Sequence, residues 1–93
     1  MAIQLLPTCP TQPETIACID AAIELIKQTG LSYEVGPLET TIEGDSIDEL
    51  LTLVSSIKAQ CDNLAVDELI MMIKILSKKT GVMSIAEKTQ KHK

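Results

Sequence analysis

Two glutamates and two threonines lie close together in the middle of the sequence, where their side chains could bind a small ligand. Glu34 and Glu43 each fall on a short alternating segment, and Thr40 and Thr41 lie between them, near Tyr33. A carboxylate in a partly dry groove makes strong, charge-assisted hydrogen bonds to a cation or an amine, and threonine hydroxyls donate or accept. An aminopyrimidine has a matching edge. Solvated strand carboxylates are commoner, however, so these residues alone indicate a binding module and do not identify its ligand.

Residue types that commonly carry catalysis are few. His92 is the only histidine and lies one residue from the end, where we expect an exposed side chain. Cys9, Cys18 and Cys61 have no CxxC spacing, and without a histidine a cysteine nucleophile lacks its usual base. Cys18 and Cys61 fall on predicted helices, and Cys9 falls in a loop. We therefore expect no enzyme activity, no metal site and no cofactor, with a thiol-based redox sensor at Cys9 as an alternative.

Composition narrows the class of partner. The 93 residues suffice for one small domain, and the formal charge is −5. Residues 1–73 hold twelve acidic side chains and two lysines (−10), whereas residues 74–93 hold six lysines and one glutamate (+5). Arginine, Trp and Phe are absent, which argues against a nucleic-acid surface. The longest apolar runs are too short to span a membrane, and an odd number of cysteines favours a reducing cytoplasm.

Hydrophobic periodicity predicts six elements and a C-terminal segment. Proline and glycine mark most of the boundaries, with Gly36-Pro37 as a hairpin turn, Gly30 as a helix end and Ser46 with Glu49 as a capping box. The predicted elements are strand 2–6, a helix from Pro13 to Gly30, strands 31–35 and 40–43, a helix from Ser46 to Asn63, strand 67–77 and a short helix from Ser84. We divide the single domain, 1–93, into a core of 1–79 and a basic segment of 80–93.

Each predicted helix has an apolar stripe that is expected to face the core. The stripe of the first helix consists of Ile16, Ile19, Ile23 and Ile26. The stripe of the second helix consists of Ile47, Leu50, Leu51, Val54, Ile57 and Cys61.

The order β-α-β-β-α-β is that of the ferredoxin-like α+β fold, a two-layer sandwich with both helices on one face of an antiparallel four-stranded sheet. The last strand is apolar on both faces, interrupted by Lys74. In this fold the two helices leave its second face uncovered, and exposed apolar patches usually mark interfaces. We therefore expect a homo-oligomer, a dimer or tetramer formed through sheet faces or edges. The alternative is that the C-terminal segment folds back over this face. A structural or regulatory oligomeric subunit without a small-molecule ligand is an alternative function.

The central segment resembles the small thiamine-binding protein family. The specific part is Tyr33-Glu34-Val35-Gly36-Pro37 followed by Thr40-Thr41-Ile42-Glu43-Gly44 and a helix. The opening strand to Leu6-Pro7 and the stretch Gly81–Lys88 extend the resemblance over nearly the whole chain. The first loop, Thr8-Cys9-Pro10, departs from it, which leaves a contribution of that loop to ligand choice open.

The resemblance implies a ferredoxin-like fold, assembly into dimers and tetramers through the sheets, and binding of thiamine or its hydroxymethylpyrimidine moiety without catalysis. Thiamine would then be a ligand and not a catalytic cofactor. Transferred to this sequence, the motif implies that Glu43 meets the amine or thiazolium charge and that Thr40 and Thr41 meet ring nitrogens. Glu34 and Tyr33 are further candidates. The acidic body agrees with a cationic ligand.

Overall fold

The computed structural model describes residues 1–77, so the predicted C-terminal helix and the whole basic segment, 80–93, lie outside the described residues. Six elements follow one another as expected, in the order β-α-β-β-α-β. They are β1 (Ala2–Thr8), α1 (Gln12–Gln28), β2 (Tyr33–Val35), β3 (Thr40–Ile42), α2 (Ile47–Asp62) and β4 (Glu68–Lys74). The predicted boundaries hold within a few residues, the last strand being shorter at both ends.

The strands form one four-stranded sheet in the order β2-β3-β1-β4, and every described pairing is antiparallel. The β1–β4 ladder is the longest and runs from Ala2 opposite Lys74 to Thr8 opposite Glu68. Both helices pack on one face of this sheet, together with the buried side chains of the core. The ferredoxin-like α+β fold is therefore confirmed.

Helix α1 begins and ends as the sequence predicts but buries a different face. Thr11 caps the N-terminus by accepting a hydrogen bond from the Glu14 N–H (3.4 Å), and Gly30 follows the C-terminus with φ = 76°, a left-handed conformation that glycine adopts without strain. The predicted isoleucine stripe is wrong in part. Cys18, Ala22 and Ile26 are buried, whereas Ile16 is 51% exposed.

The physical reason is that α1 packs on α2 and β1 through a row of residues at four-residue spacing, of which the first two are small. Cys18 and Ala22 occupy this row, and Ile26 continues it. Ridges of residues four apart commonly form such helix contacts. Side-chain volume at the contact, and not hydrophobicity alone, therefore decided which face of α1 is buried.

Helix α2 carries the predicted capping box. The Glu49 N–H donates to Ser46 Oγ (3.1 Å), and Glu49 Oε1 accepts from the Asp45 N–H (2.9 Å). The helix buries Leu50, Leu53, Ile57 and Cys61. Three of these belong to the predicted stripe, Leu53 does not, and Ile47 and Leu51 are each 48% exposed.

The hairpin between β2 and β3 turns through Gly36–Glu39, closed by a hydrogen bond from the Gly36 N–H to the Glu39 carbonyl (2.9 Å). A Cβ at position 36 would lie 2.8 Å from the Glu39 carbonyl oxygen, closer than ordinary van der Waals contact. Glycine is thus required by the close approach of the two backbone segments. The turn fixes the register of the strands that carry the predicted site.

The two faces of the sheet differ in exposure. Ile3 is buried, and its β1 neighbour Leu5 packs against the core together with the alternate β4 residues. On the opposite face, which we call the outer face, Leu6, Ile70 and Met72 are 42%, 51% and 56% exposed. Leu6 lies opposite Ile70 in the register, so these side chains form one apolar patch. This confirms that the last strand is apolar on both faces and that only one face is covered within residues 1–77.

Candidate functional site

The register of the hairpin divides the five predicted site residues between the two faces of the sheet. Glu34 lies opposite Thr41, whereas Tyr33 lies opposite Ile42. Because Ile42 is buried in the core and paired residues of antiparallel strands share a face, Tyr33 belongs to the inner face. Glu34 and Thr41 belong to the outer face. The residues that the sequence suggested as one site therefore lie on two opposite faces of the sheet.

Glu34 and Thr41 line a shallow outer-face cleft of about 340 Å³ at the hairpin turn. The remaining lining residues come from the turn itself: Gly36, Pro37, Leu38 and Glu39. Two carboxylates and one hydroxyl thus border a space bounded on one side by backbone and proline. Such a cleft attracts cations and offers hydrogen-bond acceptors to an amine.

Glu39 is the cleft residue that sequence reasoning missed. Its carboxylate accepts an ion-pair contact from Lys74 Nζ at 3.2 Å (Oε2) and 3.3 Å (Oε1). Lys74 lies opposite Ala2, which in turn lies opposite Thr41, so the lysine side chain reaches Glu39 across the small alanine. The signal in the sequence was the single lysine that interrupts an otherwise apolar strand. Because the pair is largely exposed, its stabilising effect is small, about 1 kcal/mol or less.

Glu43 follows β3 and is half-buried. Its N–H donates to the Ser32 carbonyl (2.9 Å), which continues the hairpin pairing by one residue. Period-two alternation then assigns Glu43 to the same face as Thr41. Glu43 does not line the 340 Å³ cleft, so its predicted contact with ligand charge stays a prediction.

On the inner face, Thr40 lies opposite Val35 and Ile3. It lines a smaller cavity of about 150 Å³ between the hairpin and α1. The walls of that cavity are mostly aliphatic, including Ile19 and Ile23 of α1. An aliphatic cavity of this size offers little to a charged ligand. Thr40 is on the inner face of the sheet, and the cavity meets the acidic cleft only at the shared turn residues, 36–39.

A larger cleft, about 400 Å³, lies between α1 and α2 and contains none of the predicted site residues. Its hydroxyls already donate to helix carbonyls: Thr29 to Ile26 (2.6 Å), Thr52 to Asp48 (2.8 Å) and Ser56 to Thr52 (3.1 Å). Its one carboxylate, Glu49, belongs to the α2 cap. Because these polar groups serve the helices, the smaller outer-face cleft is the better candidate for binding.

Thiol and metal chemistry are limited in residues 1–77. Cys9 is half-buried, and Cys18 and Cys61 are buried, all three as free thiols. Burial raises the pKa of the Cys18 thiol to about 12, with a further contribution from the neighbouring Cys61. Within this part of the chain, no group of three or more His, Cys, Asp or Glu side chains could hold a metal ion. None of its helices is long and apolar enough to cross a membrane.

Comparison with known proteins identifies the family. The sequence model of the family described as "Thiamine-binding protein" matches residues 1–93. The chain belongs to the thiamine-binding protein family. Among curated relatives, a UPF0045 protein of Clostridium perfringens (strain 13 / Type A) is 37% identical over 93 residues, which is all of this chain and 95% of that protein. The resemblance noted from the hairpin motif is thus confirmed.

Solved structures agree with the fold of this thiamine-binding protein family member. The domain of unknown function DUF77 from Bacillus cereus superposes with a TM-score of 0.85 at 34% identity, covering 99% of this chain and 86% of that one. A Thermotoga maritima protein, provisionally assigned to thiamine biosynthesis or salvage, has the same TM-score at 29% identity and covers 99% and 95%. A function related to thiamine is therefore indicated for the family.

Proposed function

We propose that this protein binds thiamine or its hydroxymethylpyrimidine moiety, without catalysis, in the cytoplasm. The observation that carries the proposal is the outer-face cleft of Glu34, Glu39 and Thr41 in a chain of the thiamine-binding protein family. Thiamine is a cation with an aminopyrimidine ring, so it requires both negative charge and hydrogen-bonding groups. The cleft offers both.

The proposed contacts follow from the chemistry of each side chain. The Glu34 carboxylate accepts from the exocyclic amine, and the Thr41 hydroxyl donates to a ring nitrogen. Glu43 follows Thr41 by two residues and lies on the same face of the sheet. Its carboxylate balances the thiazolium charge at the border of the cleft. Lys74 forms an ion pair with Glu39 and so neutralises part of the negative charge of the cleft. The remaining negative charge suits a ligand with a single positive charge.

In this proposal the inner-face residues, Tyr33 and Thr40, support the strands and do not touch the ligand. A pyrimidine ring prefers a flat partner, and Pro37 in the cleft wall provides one. The cleft residues supply charge and hydrogen bonds only, so bound thiamine should be released chemically unchanged. Chromatography of the ligand after incubation with the protein tests this directly.

Isothermal titration calorimetry with thiamine and with hydroxymethylpyrimidine tests the binding. A charge-assisted hydrogen bond contributes about 1.5–3 kcal/mol, so Glu34→Gln should raise Kd about ten- to a hundredfold. Glu43→Gln should weaken the binding of thiamine more than the binding of the neutral hydroxymethylpyrimidine. Asp62→Asn is the matched control, because it removes one carboxylate that pairs with Lys58 on α2. No heat with either ligand from the folded wild-type protein would refute the proposal.

A second candidate function is that of a structural or regulatory oligomeric subunit without a small-molecule ligand. The outer-face patch of Leu6, Ile70 and Met72 favours it, since that patch needs a cover whether or not a ligand exists. A second copy of the chain supplies a matching apolar surface, and the acidic cleft would then lie beside the contact. Size-exclusion chromatography with light scattering decides the association: a monomer at micromolar concentration contradicts it.

A further inference from the structure

Two buried thiols meet where the helices α1 and α2 pack together. Cys18 Sγ on α1 lies 3.3 Å from Cys61 Sγ on α2, and the two residues are 43 positions apart in the sequence. Their exposed fractions are 0% and 2%. We propose that Cys18 and Cys61 form a reversible disulfide site that can join the two helices covalently. This proposal is independent of thiamine binding.

The distance between the two sulfurs is close to that of a disulfide. A covalent S–S bond measures about 2.05 Å, so the free sulfurs must approach by roughly 1.3 Å. The two cysteines lie in the buried row of each helix, next to side chains that hold both helices in place. We expect side-chain rotations within the existing fold to bring the sulfurs together. No other cysteine pair is within hydrogen-bonding distance in residues 1–77.

The reaction balances with a small-molecule disulfide such as oxidised glutathione as the oxidant. One protein thiolate attacks a glutathione sulfur, the glutathione S–S bond breaks, and one glutathione leaves and takes up a proton. The second protein thiolate then attacks the protein sulfur of the mixed disulfide, and the second glutathione leaves. In total, two thiols lose two protons and two electrons, and one disulfide becomes two thiols.

Burial determines the rate of this reaction. The thiolate is the nucleophile, and the raised pKa of Cys18 keeps its thiolate scarce near neutral pH. The oxidant also cannot reach either sulfur until the helices separate locally. The first step should therefore be slow, whereas the second step is intramolecular and fast. The site responds to sustained oxidation and resists brief exposure.

The first experiment uses the full chain with Cys9→Ser, which leaves two thiols. The protein is incubated with oxidised glutathione, the remaining thiols are alkylated, and the intact mass is measured. We expect the intact mass to be lower than that of the reduced protein by two hydrogens, with no alkylated thiol and no glutathione adduct. Trypsin cleaves after Lys27, Lys58 and Lys74, so the cross-link joins peptides 1–27 and 59–74. Two glutathione adducts, or two free thiols at redox equilibrium, would overturn the proposal.

The second experiment separates native proximity from chance pairing of an unfolded chain. The effective concentration of the thiol pair is measured from its equilibrium with reduced and oxidised glutathione, once in buffer and once in guanidinium chloride. Cross-linking a loop of this length should give a native value on the order of a thousandfold higher. Equal values would show that the fold does not favour the bond. The same variant with Cys18→Ala in addition retains one cysteine and serves as the mass standard for a glutathione adduct.

Discussion

Replacing Thr41 by valine, with Thr40→Val as the comparison, tests the division of the site between the faces of the sheet. The two residues are adjacent and chemically identical, but Thr41 lines the acidic cleft and Thr40 lies opposite Ile3 on the inner face. Valine keeps the branched shape and suits a strand. In each case a methyl group replaces the hydroxyl. The two variants therefore differ in the face of the sheet from which the hydroxyl is lost.

The magnitude follows from one neutral hydrogen bond, which contributes about 0.5–1.5 kcal/mol net. Since 1.4 kcal/mol corresponds to a factor of ten, Thr41→Val should raise the Kd for hydroxymethylpyrimidine or thiamine about two- to twelvefold. Thr40→Val should leave the Kd within about twofold. Its inner-face position among aliphatic side chains also means that it should not lower the unfolding free energy.

Calorimetry at fixed pH and salt measures both values of Kd, and urea unfolding checks that both variants are folded. Weaker binding by Thr41→Val alone supports the outer-face cleft. Equal effects of the two variants, or a larger effect of Thr40→Val, would refute the reasoning, because either result would place the ligand against the inner face or outside both.

Three further predictions concern stability and association. Ser46→Ala removes the acceptor for the Glu49 N–H and should lower the unfolding free energy in urea by about 1 kcal/mol, whereas the exposed Ser55→Ala in the same helix should change it by less than about 0.5 kcal/mol. Met72→Glu introduces a charge into the outer-face patch and should prevent the proposed association, so light scattering should give the mass of a monomer for this variant and of an oligomer for the wild type. Leu51→Glu, equally a change of an exposed apolar residue, lies on α2 and should leave the assembly intact. Cys18 has a folded pKa of about 12 against 9.0 for the free group, so the unfolded chain releases this proton first. Its contribution to stability is therefore complete below about pH 9 and is lost as the pH rises toward 12. Cys18→Ala should make this alkaline decline shallower, and an unchanged slope would contradict the assignment.

Local signals in the sequence predicted the fold because each element carries its own start, stop and period. The Ser46 and Glu49 capping box, Gly30 after α1 and the turn at Gly36 are properties of a few neighbouring residues. Hydrogen bonds within a turn or a cap depend on little else. The order of elements then leaves few topologies for a small antiparallel sheet.

The buried faces of the helices were less predictable. Hydrophobicity favoured Ile16 and Ile19, but the contact row of α1 passes through Cys18 and Ala22. Which face is buried depends on the side-chain volumes that a neighbouring helix and sheet can accept. That information lies in residues far away in the chain.

The candidate site divides in the same way. The sequence by itself determined that a carboxylate- and threonine-bearing hairpin precedes a capped helix, and its motif determined the family. Only the tertiary structure decided that Glu34 and Thr41 share a face from which Tyr33 and Thr40 are excluded, and that Lys74 reaches Glu39 from a strand 35 residues away. It also decided that Cys18 meets Cys61. The physical reason is that strand register and helix packing join residues distant in sequence, and these contacts become defined only when the core closes.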